Sequence, residues 1–385
     1  MYDKKISIII VNDNACYFIE QCLTSVYAAI DYMDVEIFVV DNNSTDDSVE
    51  LLRSQFPKAV FIENKDNPGF PEANNQVIRQ CTGEFILLLN PGTVIGEETI
   101  RTLCFFMDEH PNAGAVGVKM LDGHGNYLPE SKRSFPSPWV LFCKIFGLNR
   151  LLPKSKLFAR YSLLYLNPDK QHKVDVLSST FMLLRHEALD KTGLLDESFH
   201  MYGEDIDLSY RMTLNGYKNY YLPERILYYK GEDRKYMNAL YDAMLNFHKK
   251  YYPRYSWLIH LFIRLAIGFK ALRGGQKKKT DSNRNNKHTR LLILCCEENF
   301  DMIKNVCLAN YPQLEFVNNW NLSKERVMDA ICRKNQMKRF TDIAFFYPDM
   351  RFEQILLFMD IMPNKKTNYH IYSKSSGRIV TSEEK

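Results

Sequence analysis

The 385-residue chain has nine cysteines but no C-x-x-C pair, and the adjacent Cys295-Cys296 do not suit a zinc knuckle. The cysteines therefore read as small buried hydrophobes in a reducing compartment. No G-x-x-x-x-G-K and no G-x-G-x-x-G occurs, which argues against an ATPase and a dehydrogenase. The most apolar stretch, residues 256 to 272, falls short of the ~20 residues of a spanning helix and is interrupted by His260 and Arg264. Nothing reads as a signal peptide: residues 6 to 11 are too short an apolar core and lead straight into Asn12-Asp13-Asn14. Net charge is only +4, and no recognition motif accompanies the basic run near 270–290, so no nucleic-acid partner is expected. What remains is a cytoplasmic globular protein of ordinary composition, 45% hydrophobic and 25% charged, long enough for about two domains.

The first 90 residues alternate between strand and helix patterns. Residues 6 to 11 form a nearly continuous β-branched run, as in a strand buried on both faces of a parallel sheet. Further strands are expected at 35–40, 60–62 and 85–89, with helices between them. Ser44-Thr45-Asp46-Asp47 reads as a capping box with Ser at the N-cap and Asp at N3. Pro71 suits a helix start, and Gly83 is the expected stop of that helix. The β-α-β-α order predicts a doubly wound α/β sheet with parallel strands, which binds ligands outside its carboxyl strand ends. Four polar clusters fall there: Asn12-Asp13-Asn14, Asp41-Asn42-Asn43, residues 64 to 69, and Asn90-Pro91-Gly92. Any one is ordinary turn chemistry; four on one edge suggest a pocket.

Later segments continue this pattern. A strand is expected over 113–120. Residues 131 to 165 are basic and aromatic, with prolines at 136, 138 and 153. They read either as a solvated insertion or as a flap whose aromatic faces and basic groups meet a ligand. A long apolar strand is expected over 174–184, then a helix over 187–191. The segment Met201-Tyr202-Gly203-Glu204-Asp205-Ile206-Asp207 sets three acids within four residues at the start of a helix. Asp207 and Arg211 form a candidate i,i+4 ion pair. Another strand is expected over 218–222.

Five segments, in order, resemble an inverting family 2 glycosyltransferase of the rhamnosyltransferase-like branch, active in surface-polysaccharide biosynthesis. They are residues 7–12 (SIIIVN), 39–46 (VVDNNSTD), 67–75 (NPGFPEANN), 85–91 (FILLLNP) and the Glu204-Asp205 stretch. The resemblance implies a GT-A-type nucleotide-sugar-binding domain, with Asp205 as general base. The donor site would comprise Asn12, Asn14, Asp41, Asn43, Asn67, Gly69, Phe70, Asn74, Asn90, Gly92 and Lys230. Asp41 would meet the ribose or base, and Phe70 would wall the nucleobase. Arg133, Trp139, Ser179 and Glu204 would lie on the acceptor side, Glu204 also serving as a helix cap. Partners would be a nucleotide-sugar donor, dTDP-rhamnose-like or a UDP-sugar, and a saccharide or lipid-linked acceptor.

The sequence departs from the family in two places. The metal motif of this branch is Asn-Pro-Asp, where this chain has Asn90-Pro91-Gly92. The family His before Tyr-Lys-Gly is here Tyr228. The resemblance implies Mg2+ or Mn2+ carried with the nucleotide diphosphate, without a strong protein-held metal site. Ser179 and Thr180 also replace a Gly-Ala pair. The rival reading is a non-catalytic homologue serving as a nucleotide-sugar-binding or partner-binding scaffold.

The expected layout is a GT-A glycosyltransferase domain over 1–250, an amphipathic helix and basic linker over 251–289, and a small Rossmann-like α/β domain over 290–385. The linker reads as an interfacial helix with a polybasic tail, placing the protein peripherally on an anionic membrane surface at the inner face of the cytoplasmic membrane. In the last domain strands are expected at 291–294, 314–317, 343–347 and 369–372, with helices at 301–309, 324–334 and 352–362. Its first turn, Cys295-Cys296-Glu297-Glu298, lacks glycine, so no dinucleotide is expected there.

Overall fold

A computed structural model describes residues 2–46, 48–199, 202–229, 235–255, 257, 261, 289–310, 314–321, 340–364, 367–373 and 378–381. The expected helix at 324–334 lies outside the described residues, as do nearly all of 256–272 and the basic run after it.

The chain opens with β1 (Tyr2–Asn12), α1 (Cys16–Ala29), β2 (Met33–Asp41), α2 (Ser48–Gln55), β3 (Ala59–Glu63), α3 (Phe70–Ile78), β4 (Phe85–Leu89) and β5 (Thr93–Ile95). It continues through α4 (Thr99–Glu109), β6 (Ala113–Leu121), β7 (Lys132–Arg133), α5 (Pro138–Ile145), α6 (Leu148–Leu151), β8 (His172–Val174) and β9 (Val176–Leu177). Then come β10 (Phe181–Arg185), α7 (His186–Thr192), α8 (Glu204–Leu214), β11 (Lys218–Tyr228) and α9 (Lys235–Tyr251). The last part holds β12 (Thr289–Cys295), α10 (Phe300–Asn310), β13 (Leu314–Asn321), β14 (Asp342–Tyr347), α11 (Phe352–Ile361), β15 (Asn368–Ser373) and β16 (Arg378–Thr381).

The first sheet runs in the order β3-β2-β1-β4-β10-β6-β11-β5, with β8 on β11. Its apolar runs fill both faces. Ile6, Ile8 and Ile10 join one core cluster with Phe85, Leu87 and Leu89, while Ile9 and Val11 join another with Ile86 and Leu88. This is the period-two alternation of a doubly covered strand. The sheet is mixed, where a parallel one was expected: β10 runs antiparallel to both β4 and β6, and β5 antiparallel to β11. The order reverses between β1 and β4, where such sheets bind ligands.

Three local expectations are corrected. Helix α2 begins at Ser48, not after Ser44. The Ser44 hydroxyl instead accepts from Asn12 Nδ2 at 3.1 Å and from the Asn14 N–H at 2.9 Å, while Asp46 takes the Ser48 N–H. Helix α3 stops at Ile78, ahead of Gly83. The expected strand over 174–184 is broken into β8, β9 and β10. The Ser178 hydroxyl turns onto Thr180 Oγ1 at 3.1 Å, and such local bonds compete with a ladder.

The second sheet has the order β13-β12-β14-β15-β16, parallel except for its last pair. It is joined to the first part by a shared core: Val94, Leu121, Leu227 and Tyr229 cluster with Leu292, Phe345, Phe352 and Met359. Polar contacts frame that core. The Glu97 carboxylate accepts the Phe352 and Glu353 N–H groups at 2.8 and 2.9 Å, capping α11. Asp360 accepts from Lys119 at 2.7 Å and from Arg225 at 2.6 Å. Gly125, at φ +75°, lies so close that a Cβ there would be 2.2 Å from the Met359 carbonyl oxygen. Among the described residues no helix is long and apolar enough to cross a membrane.

Candidate functional site

A cavity of about 600 Å³ opens at the carboxyl strand ends around the β1/β4 reversal. Of the expected donor residues, Asn14, Asn67, Gly69, Phe70, Asn90 and Gly92 line it. Gly69 sits at φ +93°, a conformation that only glycine adopts freely. Asn67 donates to Asp13 Oδ2 at 2.9 Å and accepts the Gly69 N–H at 3.1 Å, tying that loop to the end of β1.

Asn12, Asp41 and Asn74 are buried beneath the cavity and do not line it. Asn12 Nδ2 donates to Asp41 Oδ1 at 2.7 Å and to Ser48 Oγ at 2.8 Å, while Asp41 Oδ2 accepts the Ser44 N–H at 2.9 Å. Asn74 donates to the Phe70 carbonyl at 2.7 Å. These bonds brace the loops around the cavity. Asn43 is exposed at φ +59° and also lies off the lining. Lys230 lies outside the described residues.

The acidic segment closes the opposite wall. Gly203, at φ +100°, precedes α8, where a Cβ would meet Phe199 and Ala243 below 3.0 Å. All three acids are buried. Asp207 is structural, accepting from Arg211 at 2.8 Å, Lys250 at 2.6 Å and Tyr251 at 2.7 Å. The Glu204 Oε1 accepts from the Ser179 hydroxyl at 2.7 Å. Burial, and then the neighbouring Asp205 charge, push the Glu204 carboxyl up to about 7.

Asp205 lines the cavity at 7% exposure. Its Oδ2 is ion-paired with Arg133, whose guanidinium also donates to the Leu177 carbonyl at 3.1 Å. Asp205 Oδ1 has no hydrogen-bond partner among the described residues. Arg133 and Ser179 line the cavity as well, but Trp139 does not. Trp139 sits on the outer surface, its indole N–H donating to the Leu157 carbonyl at 3.3 Å. Sequence reasoning missed Glu130 and Tyr202 as lining residues. Asp13 and Asn42 also line it, and both were within reach, since they sit inside two of the four polar clusters.

The residues at the family's metal positions do not fit a metal ion. Gly92 has no donor atom, and Asn90 Oδ1 accepts the Gly92 N–H at 2.9 Å. Burial pushes the Tyr228 hydroxyl up to about 12, so it stays protonated. The two positions touch: a Cβ on Gly92 would lie 3.6 Å from the Tyr228 ring and 3.1 Å from the Tyr229 carbonyl oxygen. Among the described residues no cluster of three His, Cys, Asp or Glu side chains could hold a metal.

Residues 7–193 match the family model Glycosyl transferase family 2. The chain is 27% identical over 209 residues to the N-acetylglucosaminyl-diphospho-decaprenol L-rhamnosyltransferase of Mycobacterium tuberculosis, covering 51% of this chain and 67% of that one. It is 29% identical over 214 residues to the low-salt glycan biosynthesis hexosyltransferase Agl10 of Haloferax volcanii, covering 54% and 61%. It therefore spans about two thirds of the length of these curated relatives, or less. The mannosyltransferase PcManGT from Pyrobaculum calidifontis, solved with GDP-Man and Mn2+, aligns at 16% identity with a TM-score of 0.46, covering 71% of this chain and 76% of that one. Residues 7–193, which supply most of the α/β sheet and of the strand-end cavity, are thus similar to glycosyl transferase family 2 domains.

Proposed function

We propose that the protein is an inverting glycosyltransferase that moves a sugar from a nucleotide-diphosphate donor to an acceptor hydroxyl, with Asp205 as general base. The observation that carries this reading is the state of Asp205: on the cavity wall, one carboxylate oxygen is held by Arg133 and the other is buried without a hydrogen-bond partner among the described residues. An acceptor hydroxyl would give its proton to the Asp205 carboxylate as its oxygen attacks the anomeric carbon. The bond from that carbon to the diphosphate breaks on the opposite face, and the nucleoside diphosphate leaves with the bonding pair. Base catalysis of this kind supplies ~10²–10⁴-fold, and holding both reactants in one cavity supplies much of the remainder. Arg133 contributes by fixing the carboxylate's orientation through Oδ2. The donor lies along the strand ends, on Asn14, Asn67 and Phe70.

The finer reading is a dTDP-rhamnose-like or UDP-sugar donor and a saccharide or lipid-linked acceptor in surface-polysaccharide assembly. It is supported by the mycobacterial relative, whose name is N-acetylglucosaminyl-diphospho-decaprenol L-rhamnosyltransferase. It puts the protein on the inner face of the cytoplasmic membrane. Incubation of the full chain with radiolabelled dTDP-rhamnose and UDP-sugars over a membrane lipid extract tests this: label should enter the lipid fraction. The residues at the metal positions favour one alternative, a scaffold that binds a nucleotide sugar without turning it over. That alternative predicts nucleotide-dependent thermal stabilisation with no product from any donor.

A further inference from the structure

We propose that residues 138–160 form a docking patch for an anionic lipid surface, separate from the stretch at 256–290. The proposal does not rest on the transfer reaction. From residue 131 to residue 168 the sequence has no Asp or Glu, yet it carries Lys132, Arg133, Lys144, Arg150, Lys154, Lys156 and Arg160. Lys132 is buried over the rings of Tyr127 and Tyr221, and Arg133 faces the cavity. Lys154, Lys156 and Arg160 are exposed, and none of the ion pairs among the described residues includes them.

Large apolar side chains are exposed between these cations. Leu151 is 74% exposed, Leu157 56%, Leu152 49% and Trp139 45%. Clustered exposed apolar residues mark a contact surface, whereas scattered ones do not. Trp139 is held in place by stacking on Phe142 at 5.6 Å and by its bond to the Leu157 carbonyl, so it is a preformed wedge. Leucine and tryptophan among lysines, without one acid, is the chemistry of an interfacial element: apolar groups enter the headgroup boundary and the cations meet lipid phosphates. The same charge opposes pairing with a second copy, which would set like charges together. The patch is tied to the cavity wall, because the Ser134 N–H, next to Arg133, donates to the Tyr161 carbonyl at 2.9 Å. Docking there would therefore hold Arg133 and the acceptor end of the cavity near the membrane.

The test uses the full chain with Trp257→Phe and Trp320→Phe, which leaves Trp139 as the only tryptophan. Vesicles of phosphatidylcholine, with and without phosphatidylglycerol, are the probe. Anionic vesicles should shift Trp139 emission to the blue, and bromine-labelled lipid should quench it. Lys154→Glu with Lys156→Glu, and separately Leu151→Ser with Leu152→Ser, should weaken co-sedimentation by about tenfold or more. All four residues are exposed, so unchanged melting temperatures would show the fold intact. If the protein sediments but Trp139 emission does not change, another segment makes the contact and the proposal fails. A dimer in sedimentation velocity that the leucine variant abolishes would assign the patch to a second copy and also overturn it.

Discussion

Arg133 on β7 and Asp205 on α8 form a buried ion pair, 72 residues apart in sequence, on the wall of the strand-end cavity. It brings the insertion and the acidic segment together and fixes one oxygen of the Asp205 carboxylate. On the proposed mechanism Arg133 is a positioning residue, where the sequence suggested only an acceptor contact. Arg133→Met should strand the Asp205 charge and lower stability by about 3–5 kcal/mol, as when one partner of a buried pair is removed. Arg133→Lys keeps the charge but not the fork that also bonds the Leu177 carbonyl. It should retain most of the stability and lose kcat more than donor affinity. Denaturant unfolding with steady-state kinetics separates the two; a normal kcat in Arg133→Lys would remove the positioning role.

Glu204 predicts a stability profile against pH. Its folded pKa, about 7, lies above the ordinary 4.5, so the folded chain holds a proton that the unfolded chain releases between these values. Stability should then fall as pH rises from about 4.5 to about 7, and level off above. Glu204→Gln can still accept from Ser179 and removes the penalty. It should be more stable than the parent at pH 8, by on the order of 1–3 kcal/mol, and equal to it at pH 4. Melting temperatures of both proteins across that range check the sign.

The Gly92 and Tyr228 pair makes a prediction about metals. Nucleoside diphosphate binding should survive EDTA, because neither position offers a ligand. Gly92→Asp alone should destabilise the protein, since its Cβ would press the Tyr229 carbonyl at 3.1 Å beside the Tyr228 ring. Adding Tyr228→His should recover stability and create Mn2+-stimulated binding. Calorimetry of the parent, both single variants and the double variant, with and without Mn2+, gives the comparison.

The shared core predicts that the two sheets unfold together. Phe352→Ala should cost about 3–5 kcal/mol, and Glu97→Ala about 1–2 kcal/mol through the lost cap on α11. Each should shift one unfolding transition of the whole chain. Two transitions, with only one displaced, would show that the sheets unfold independently.

The fold was legible wherever apolar runs met turn residues. β2, β4, β6 and α8 sit within a residue or two of their expected places, because double burial demands unbroken apolar sequence and α8 starts on an acidic turn; β1 starts four residues early, at Tyr2. The antiparallel β10 was not legible: Phe181–Arg185 reads alike in either direction, and only its neighbours set its sense. In the candidate site, Asp205, singled out by its motif, lines the cavity. The burial of Asp41 and Asn74 was invisible, because a strand-end Asp or Asn looks the same whether it bonds its own loop or a ligand. The Arg133 pair was invisible for a different reason: no local pattern encodes a contact across 72 residues.

The central claim is that Asp205 is the base. Its most direct test is single-turnover transfer by Asp205→Asn, beside nucleoside diphosphate affinity and melting temperature for the same variant. If Asp205 is the base, the variant folds, binds the nucleotide like the parent and transfers sugar at least ~10²-fold more slowly. Transfer at the parent rate, with folding and binding intact, would contradict it.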